Sequence, residues 1–388
     1  MITRENIAEI AQFESPEGCA LTFYFQPWTP QNKSHREEAI LVKDLVRNAL
    51  REAEKQGRNG CARADLDRIL AMSEHLQGNS GRAKAVFACG SKHFWREFDL
   101  PARLPATGLT VNRRFHLRPL TAIADVLPRV CVALTARTTA RIFDLWMDQI
   151  TERERFVSEL PRRGRSDGFI GYDAGHAERH VEHEAMHHLK KISERLKDTV
   201  DSYDRLIFAC RDEMWPDLER HLHPYVKQKM IGRFPFDPAT ATLDEIKEEA
   251  DRIMQEFRAK RYRDVFREVV GQAHRNDRGA LGIKRVLRSL QTGEIQTLLL
   301  GQKFAAPATE CLNCGHIDIK MLPNCAACGG RTREMSDVSN ALLSAAVRNG
   351  LEIIHVPPDP EFEKVGNVAA LLRFRADKNK NLELQRAG

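Results

Sequence analysis

Residues 279–300 read GALGIKRVLRSLQTGEIQTLLL. Ile283, Val286, Leu287 and Leu290 recur at the three-and-four spacing that lays one apolar stripe along a helix. Asp277 stands just ahead, where an N-cap accepts a free backbone N–H. Gly293 closes the periodic stretch, and residues 295–300 form a short apolar run of strand length. The same grammar returns downstream, with a helical pattern over 338–347, Gly350 as terminator and a strand over 351–356. Helix, glycine and strand, twice over, predict an α/β sandwich.

The two copies are separated by a cysteine cluster. Cys311-x2-Cys314 and Cys325-x2-Cys328 stand ten residues apart, and a glycine follows each pair. Two thiolates two residues apart make half of a tetrahedral sulfur site, and two such knuckles close it. The spacing therefore predicts a structural zinc ion, with no ligand position left open for catalysis. Cys19, Cys61, Cys89, Cys131 and Cys210 are scattered singly, which predicts free buried thiols in a reducing compartment.

Working outward, residues 242–270 are charged, helical and unbroken, and should bridge two units. Residues 127–210 offer two strand-like runs, 130–134 and 140–146, joined by ARTT as a hairpin, and a further strand over 204–210. The first part of the chain reads as a strand over 19–26, an amphipathic helix over 34–56 stopped by Gly57, a helix over 66–76 and a strand over 85–89. Residues 112–119 (NRRFHLRP) mix arginines with an aromatic, which suits either an RNA-facing edge or a solvated strand end.

Composition narrows the class. The 388 residues suffice for two or three domains. With 42% hydrophobic and 29% charged residues, an intrinsically disordered chain is excluded. No apolar run reaches the length of a membrane-spanning helix. The opening MITRENIAEI lacks the basic and apolar regions of a signal peptide, so a cytoplasmic protein is expected. A net charge of +6 permits phosphate contacts without demanding them.

Residues 161–194 read PRRGRSDGFIGYDAGHAERHVEHEAMHHLKKISE. Five of the chain's 14 histidines, at 176, 180, 183, 187 and 188, fall within this stretch. On a helix His176, His180, His183 and His187 share one face, opposite a stripe of Val181, Ala185, Leu189, Ile192 and Leu196. Arg179, Lys190 and Lys191 flank the histidines, so the polar face suits an anionic partner. Two catalytic patterns also occur. HEAMH matches a zinc protease, with His183 and His187 as ligands and Glu184 as base. Lys190, however, replaces the glycine that the extended motif needs. GRSDG matches a nucleophile elbow at Ser166, yet SELPRR precedes it instead of a buried strand.

Taken together, these segments resemble the archaeo-eukaryotic class-1 peptide chain release factor and Pelota superfamily, in its bacterial branch. Residues 279–300 are similar to that family's central helix and strand. The knuckles follow where some members carry a zinc mini-domain, and residues 350–374 resemble the closing strand and last helix. The paired strands, glycine loop and HAERH helix resemble the middle domain, and NRRFHLRPL the end of the bacterial N-terminal domain. The resemblance is weakest over residues 1–80. It implies three domains: an N-terminal α/β domain over 1–125, a ribonuclease-H-like middle domain over 126–257, and a C-terminal α/β/α sandwich over 258–388 with an inserted zinc ribbon.

In that family the loop before the helix carries Gly-Gly-Gln, which positions water for ester hydrolysis in the ribosomal peptidyl-transferase centre. Here the corresponding residues are Ile170-Gly171-Tyr172-Asp173-Ala174, and no glutamine lies between Gln149 and Gln228. The resemblance then implies a factor that occupies the ribosomal A site without a catalytic residue, in hibernation or rescue, with a translational GTPase such as elongation factor Tu as partner. Arg162, Arg163, Arg165, Gly171, His176, Arg179, His180, His183, His187, Lys190 and Lys191 are the expected RNA contacts. Two enzymes stand as alternatives: a peptidyl-tRNA hydrolase in which His176 or Asp173 orients water, and the zinc protease of His183-Glu184-x-x-His187.

Overall fold

The computed structural model describes residues 2–27, 35–55, 59–73, 83–101, 104, 107–146, 148–158, 173–236 and 242–377. The chain divides into two compact units, Met1–Val126 with Tyr262–Gly388, and Leu127–Arg261. The first and last segments, read from sequence as separate domains, thus pack into one unit. Among the described residues no helix is long and apolar enough to cross a membrane.

The first unit opens with α1 (Arg4–Gln12), capped reciprocally by the Thr3 hydroxyl on the Asn6 N–H and the Asn6 amide oxygen on the Thr3 N–H. β1 (Ala20–Phe25) is buried along its whole length. It is followed by α2 (His35–Lys55), α3 (Asn59–Ser73), β2 (Ala83–Cys89), β3 (Phe94–Leu100) and β4 (Gly108–Asn112). The strands form an antiparallel sheet in the order β3-β2-β1-β4. Alternation along β1 gives the sheet two apolar faces. Leu21, Phe23 and Phe25 pack with Val42 and Val46 of α2 and Leu66 and Ile69 of α3. Tyr24 points the other way, edge-on to Phe87, where Phe115 stacks on Phe13 with 4.6 Å between centroids.

Residues 113–118 depart from both sequence expectations. They are neither RNA-facing nor a solvated strand end. Phe115 is 1% exposed, and the Arg113 and Arg114 side chains only 17% and 13%. The Asn340 amide oxygen accepts the Leu117 N–H at 2.8 Å, and its nitrogen donates to the Phe115 carbonyl at 2.8 Å. Arg118, which opens α4 (Arg118–Val126), donates to the carbonyls of Gly301 and Phe304. Arg114 reaches both Glu14 and Glu310. The basic residues are internal cations that stitch 1–126 to 262–388.

The expectation of lone thiols fails at two positions nearby. Cys19 and Cys61 form a disulfide, with Cα atoms 6.0 Å apart. Forty-two residues of sequence separate them, a distance across which sequence reading has no pairing signal. Cys89, Cys131 and Cys210 are buried free thiols, as expected.

The other unit begins with an antiparallel meander of β5 (Val130–Thr135), β6 (Thr139–Trp146) and β7 (Gln149–Val157). Sequence reading missed β7 (QITERERFV), because its charged residues show no apolar run. Then come α5 (Asp173–Thr199), β8 (Arg205–Ala209), α6 (Trp215–His221), α7 (Pro224–Lys229) and β9 (Met230–Phe234). β8 lies parallel to β5 and β9 parallel to β8, giving the order β7-β6-β5-β8-β9. Cys131 and Ala133 face α5 and α6 through Leu189, Ile192, Leu196 and Leu218. Val130, Val132 and Leu134 face Ile246, Ala250 and Ile253 of α8 (Leu243–His274). One buried carboxylate, Asp144, is held by Arg129 at 2.7 Å and Arg153 at 2.6 Å. Burial opposes its ionisation, yet the two guanidiniums outweigh that and hold its carboxyl below the usual range.

α8 continues past the unit boundary, so its residues 262–274 belong with the rest of the chain. There follow β10 (Gly279–Leu281), α9 (Gly282–Gln291), β11 (Ile295–Gly301), β12 (Ala308–Cys311), β13 (Ile317–Asp318), β14 (Thr332–Met335), α10 (Ser339–Arg348), β15 (Glu352–Val356), α11 (Pro360–Lys364) and β16 (Val368–Leu372). The main sheet runs β10-β16-β11-β15, with β11 parallel to β15 and antiparallel to β16. Leu298 and Leu300 pack under α9 and α10, while Leu299 packs under Tyr262, Val265 and Val269 of α8. The helix–glycine–strand reading is correct in outline. Asp277 does not cap it, however, because residues 279–281 are drawn into β10 and Leu281 is the N-cap of α9.

Gly279 explains that detour. A Cβ there would lie 2.2 Å from the Val269 carbonyl oxygen and 2.4 Å from the Ala273 nitrogen, both rigid helix backbone. Only a glycine lets β10 run against α8. Gly279→Ala should lower stability by about 1–3 kcal/mol, the usual cost of overpacking, measured as an earlier urea midpoint than that of Gly271→Ala, whose Cβ would meet nothing within 4 Å.

Candidate metal centre and exposed helix face

Each cysteine pair sits on a tight knuckle. Gly315 donates to the Cys311 carbonyl at 3.1 Å and Gly329 to the Cys325 carbonyl at 2.9 Å, and both glycines have φ of 71°. A side chain at that φ is strained, so the glycine after each pair is a backbone requirement. β12 delivers Cys311, and β14 leaves just beyond Gly330. A Cβ on Gly330 would meet Asn313 Cβ at 2.9 Å and the Cys311 and Cys328 sulfurs at 3.4 Å. The two knuckles can close on each other only over a glycine.

The four Sγ atoms all lie within 4.8 Å of one another, with Cys311···Cys328 at 3.4 Å and Cys314···Cys325 at 3.7 Å. Tetrahedral coordination at a zinc–sulfur distance of about 2.3 Å spaces sulfurs about 3.8 Å apart, so the donor set fits the ion. Backbone N–H groups turn toward sulfur, from Asn313 and Cys314 to Cys311 and from Ala327 to Cys325. The Gly330 N–H, first among several donors, pulls Cys328 down to about 6. At Cys314 the His316 N–H pulls downward, but proton sharing with the other thiols overrides it and leaves the group at about 12. Cys328 thus ionises more readily than Cys314, whose proton a bound cation would displace. Glu310, beside Cys311 on β12, is 1% exposed and clasped by Arg114 and Arg333.

On α5 the expected stripes separate clearly over residues 187–196, while Ala185 of the apolar stripe is half-buried. His183, His187, Lys190 and Lys191 are exposed, while Leu189, Ile192 and Leu196 are buried. His176, Arg179 and His180 lie in the first turns of α5, where only the backbone is described, and Arg162, Arg163, Arg165, Ser166 and Gly171 fall outside the described residues. Among the described residues, no further His, Cys, Asp or Glu joins His183 and His187 at metal-ligand distance.

Sequence reading did not set His188 apart from its neighbours. It is 1% exposed, and its Nδ1 lies 2.6 Å from the Ser158 hydroxyl. Its spacing to Ile192 and Leu196, four and eight residues on, was the available signal. Burial, with the Lys191 charge adding, lowers its pKa against the opposing Thr139 carbonyl.

Residues 116–255 match the model for bacterial archaeo-eukaryotic release factor family 10. Peptide chain release factor subunit 1 of Archaeoglobus fulgidus is 22% identical over 370 residues, covering 89% of this chain and 86% of that protein. The chain is thus similar to archaeo-eukaryotic release factors, in its middle segment to the bacterial family and over most of its length to the archaeal protein. Among solved structures, an archaeal translation termination factor aligns at 15% identity over 96% of this chain and 99% of its own, with a TM-score of 0.24. Dom34 of Saccharomyces cerevisiae aligns at 12% identity over 76% of this chain and 80% of its own, with a TM-score of 0.40. The matched segment runs from just before α4 through the first turns of α8 and includes the whole β7-β6-β5-β8-β9 sheet.

The lowered pKa of His188 has a stability consequence. A neutral buried histidine gives its full contribution above the unfolded value near 6.5 and loses it as pH falls below that value toward the lower folded one. Acidification from pH 7.5 to 5.5 should therefore lower the unfolding midpoint, and His188→Gln should flatten that pH dependence in thermal melts.

Proposed function

We propose that this superfamily member is a cytoplasmic, ribosome-binding translation factor that occupies the A site without hydrolysing peptidyl-tRNA, in hibernation or rescue. The missing glutamine carries the reading. Release chemistry in the family rests on a Gly-Gly-Gln loop, and here no glutamine lies between Gln149 and Gln228. A factor of this superfamily without its hydrolytic residue can fill the site but not cleave the ester. Dom34, by its description, is involved in RNA quality control and interacts with Hbs1, and an archaeal Pelota has been described bound to the ribosome. Membership of the same superfamily motivates the ribosome as partner, with a translational GTPase such as elongation factor Tu delivering the chain.

In this reading the chain works as three domains. The β7-β6-β5-β8-β9 order, an antiparallel meander followed by two parallel crossovers, supports a ribonuclease-H-like middle domain. Helices on both faces of the β10-β16-β11-β15 sheet support an α/β/α sandwich, and β12, β13 and β14 around the knuckles support an inserted zinc ribbon. Zinc held by Cys311, Cys314, Cys325 and Cys328 would fold that ribbon, which is too small to own a core. The exposed row His183, His187, Lys190 and Lys191 then faces ribosomal RNA, joined by Arg162, Arg163, Arg165, Gly171, His176, Arg179 and His180. Phosphate contacts of this kind release counterions, so binding should weaken steeply with salt.

Purified protein should co-sediment with ribosomes at moderate salt. Lys190→Ala with Lys191→Ala should weaken that binding and reduce its salt slope by about 2, one for each phosphate that is no longer neutralised. Absence of co-sedimentation would sink the proposal, and appreciable peptide release from peptidyl-tRNA-loaded ribosomes would favour the hydrolase instead. Metal analysis should find one zinc per chain, absent from Cys314→Ser and from Cys325→Ser. A second zinc that disappears in His183→Ala would point to the protease.

A further inference from the structure

We propose that Cys61 is an oxidant-reactive thiol and Cys19 its resolving partner, so that hydroperoxides modify the chain at this pair. The two residues form a disulfide with Cα atoms 6.0 Å apart, within ordinary disulfide reach. Their environments differ in the way such a division of labour requires. Cys61 is the third residue of α3 and is partly exposed, while Cys19 is fully buried at the entrance to β1. Backbone N–H groups in a helix's first turn lack intrahelical partners, and they and the helix dipole favour a thiolate there, against the opposing charge of the Glu17 carboxylate within 4.8 Å of both sulfurs. Cys19 is held in place by the turn before it. Its N–H and that of Gly18 both donate to Ser15, at 3.1 and 3.0 Å, with Gly18 at φ of 79°.

The remaining free cysteines outside the knuckles lack this setting. Burial pushes Cys131 up to about 12 and Cys210 up to about 11, so both stay protonated and inert. Cys89 is buried in β2. Cys61 alone among these cysteines combines exposure, a helix N-terminus and a second sulfur in reach.

The chemistry balances in two steps. The Cys61 thiolate attacks the outer oxygen of a hydroperoxide, the O–O bond breaks, and an alcohol or water leaves after protonation, giving a sulfenic acid. The Cys19 sulfur then attacks the Cys61 sulfur, the S–O bond breaks, and the hydroxyl departs with the Cys19 proton as water. Two thiols are oxidised by two electrons and one peroxide is reduced. Closing the bond ties α3 to the start of β1 and restrains the unfolded chain over 42 residues of separation. A cytoplasmic thiol pool returns the pair to the open state, so the N-terminal sheet reports the local redox state. This inference is independent of ribosome binding.

The test uses full-length, zinc-loaded protein. After mild reduction, Cys19 and Cys61 should both be alkylated in peptide mass maps. One equivalent of hydrogen peroxide should then convert them to the Cys19–Cys61 linked peptide before the knuckle cysteines react. In Cys19→Ser, dimedone should trap a sulfenic acid at Cys61, and in Cys61→Ser nothing should be trapped at Cys19. The oxidised wild type should melt higher than the reduced form by on the order of 5 °C, a difference absent in Cys61→Ser. Three results would each overturn the proposal. The first is a bond that several millimolar glutathione cannot open, which marks a static staple. The second is prior oxidation of the knuckles. The third is uptake of an additional zinc by the reduced pair, since the Glu17 carboxylate and both sulfurs lie within 4.8 Å of one another.

Discussion

Glu310 is the constraint on which the larger unit depends. A carboxylate that is 1% exposed is tolerable only when cations and donors replace its lost water. Arg333 comes from the neighbouring strand β14, but Arg114 comes from a segment far earlier in the chain. Asn340 adds a second bridge, with its amide satisfying one N–H and one carbonyl of the 115–117 backbone. Arg118 adds a third, on the carbonyls of Gly301 and Phe304. These bonds join Met1–Val126 to Tyr262–Gly388, and they place β12, the strand that ends in Cys311, against a fixed support.

The two candidate surfaces rest on opposite physical principles. The knuckles are closed: glycines at positive φ, backbone N–H groups aimed at sulfur and a glycine where a Cβ would not fit bring four thiols to the spacing of one cation. The outer face of α5 is open. Its apolar side is anchored by Leu189, Ile192 and Leu196, and its cationic and imidazole groups are left to solvent or to a partner.

Local pattern accounts for what could be read ahead. Helix α9, strand β11, helix α10 and strand β15 follow from apolar spacing punctuated by Gly293 and Gly350, because each period is set by backbone geometry alone. The cysteine pairs were legible for the same reason, as two-residue spacing and a following glycine are local requirements of the knuckle. β7 was not legible, because an edge strand with charged residues on its exposed face lacks the apolar run that marks buried strands. Asp277 looked like a cap until close packing of Gly279 on α8 claimed the following residues for β10.

By itself the sequence determined the α/β class, the cysteine cluster, the two-faced α5 and the absence of any glutamine between Gln149 and Gln228, all of them properties of neighbouring residues. Tertiary structure alone decided what depends on distant pairings. It made NRRFHLRP, which in sequence suited either an RNA-facing edge or a solvated strand end, an internal clasp, because buried Glu310 and Asn340 supply partners to Arg114 and to the backbone. It moved His188 inside, since the helix face is chosen by the sheet it packs on. It also made Cys19 and Cys61 a pair, since only the fold brings two sulfurs 42 residues apart into bonding range.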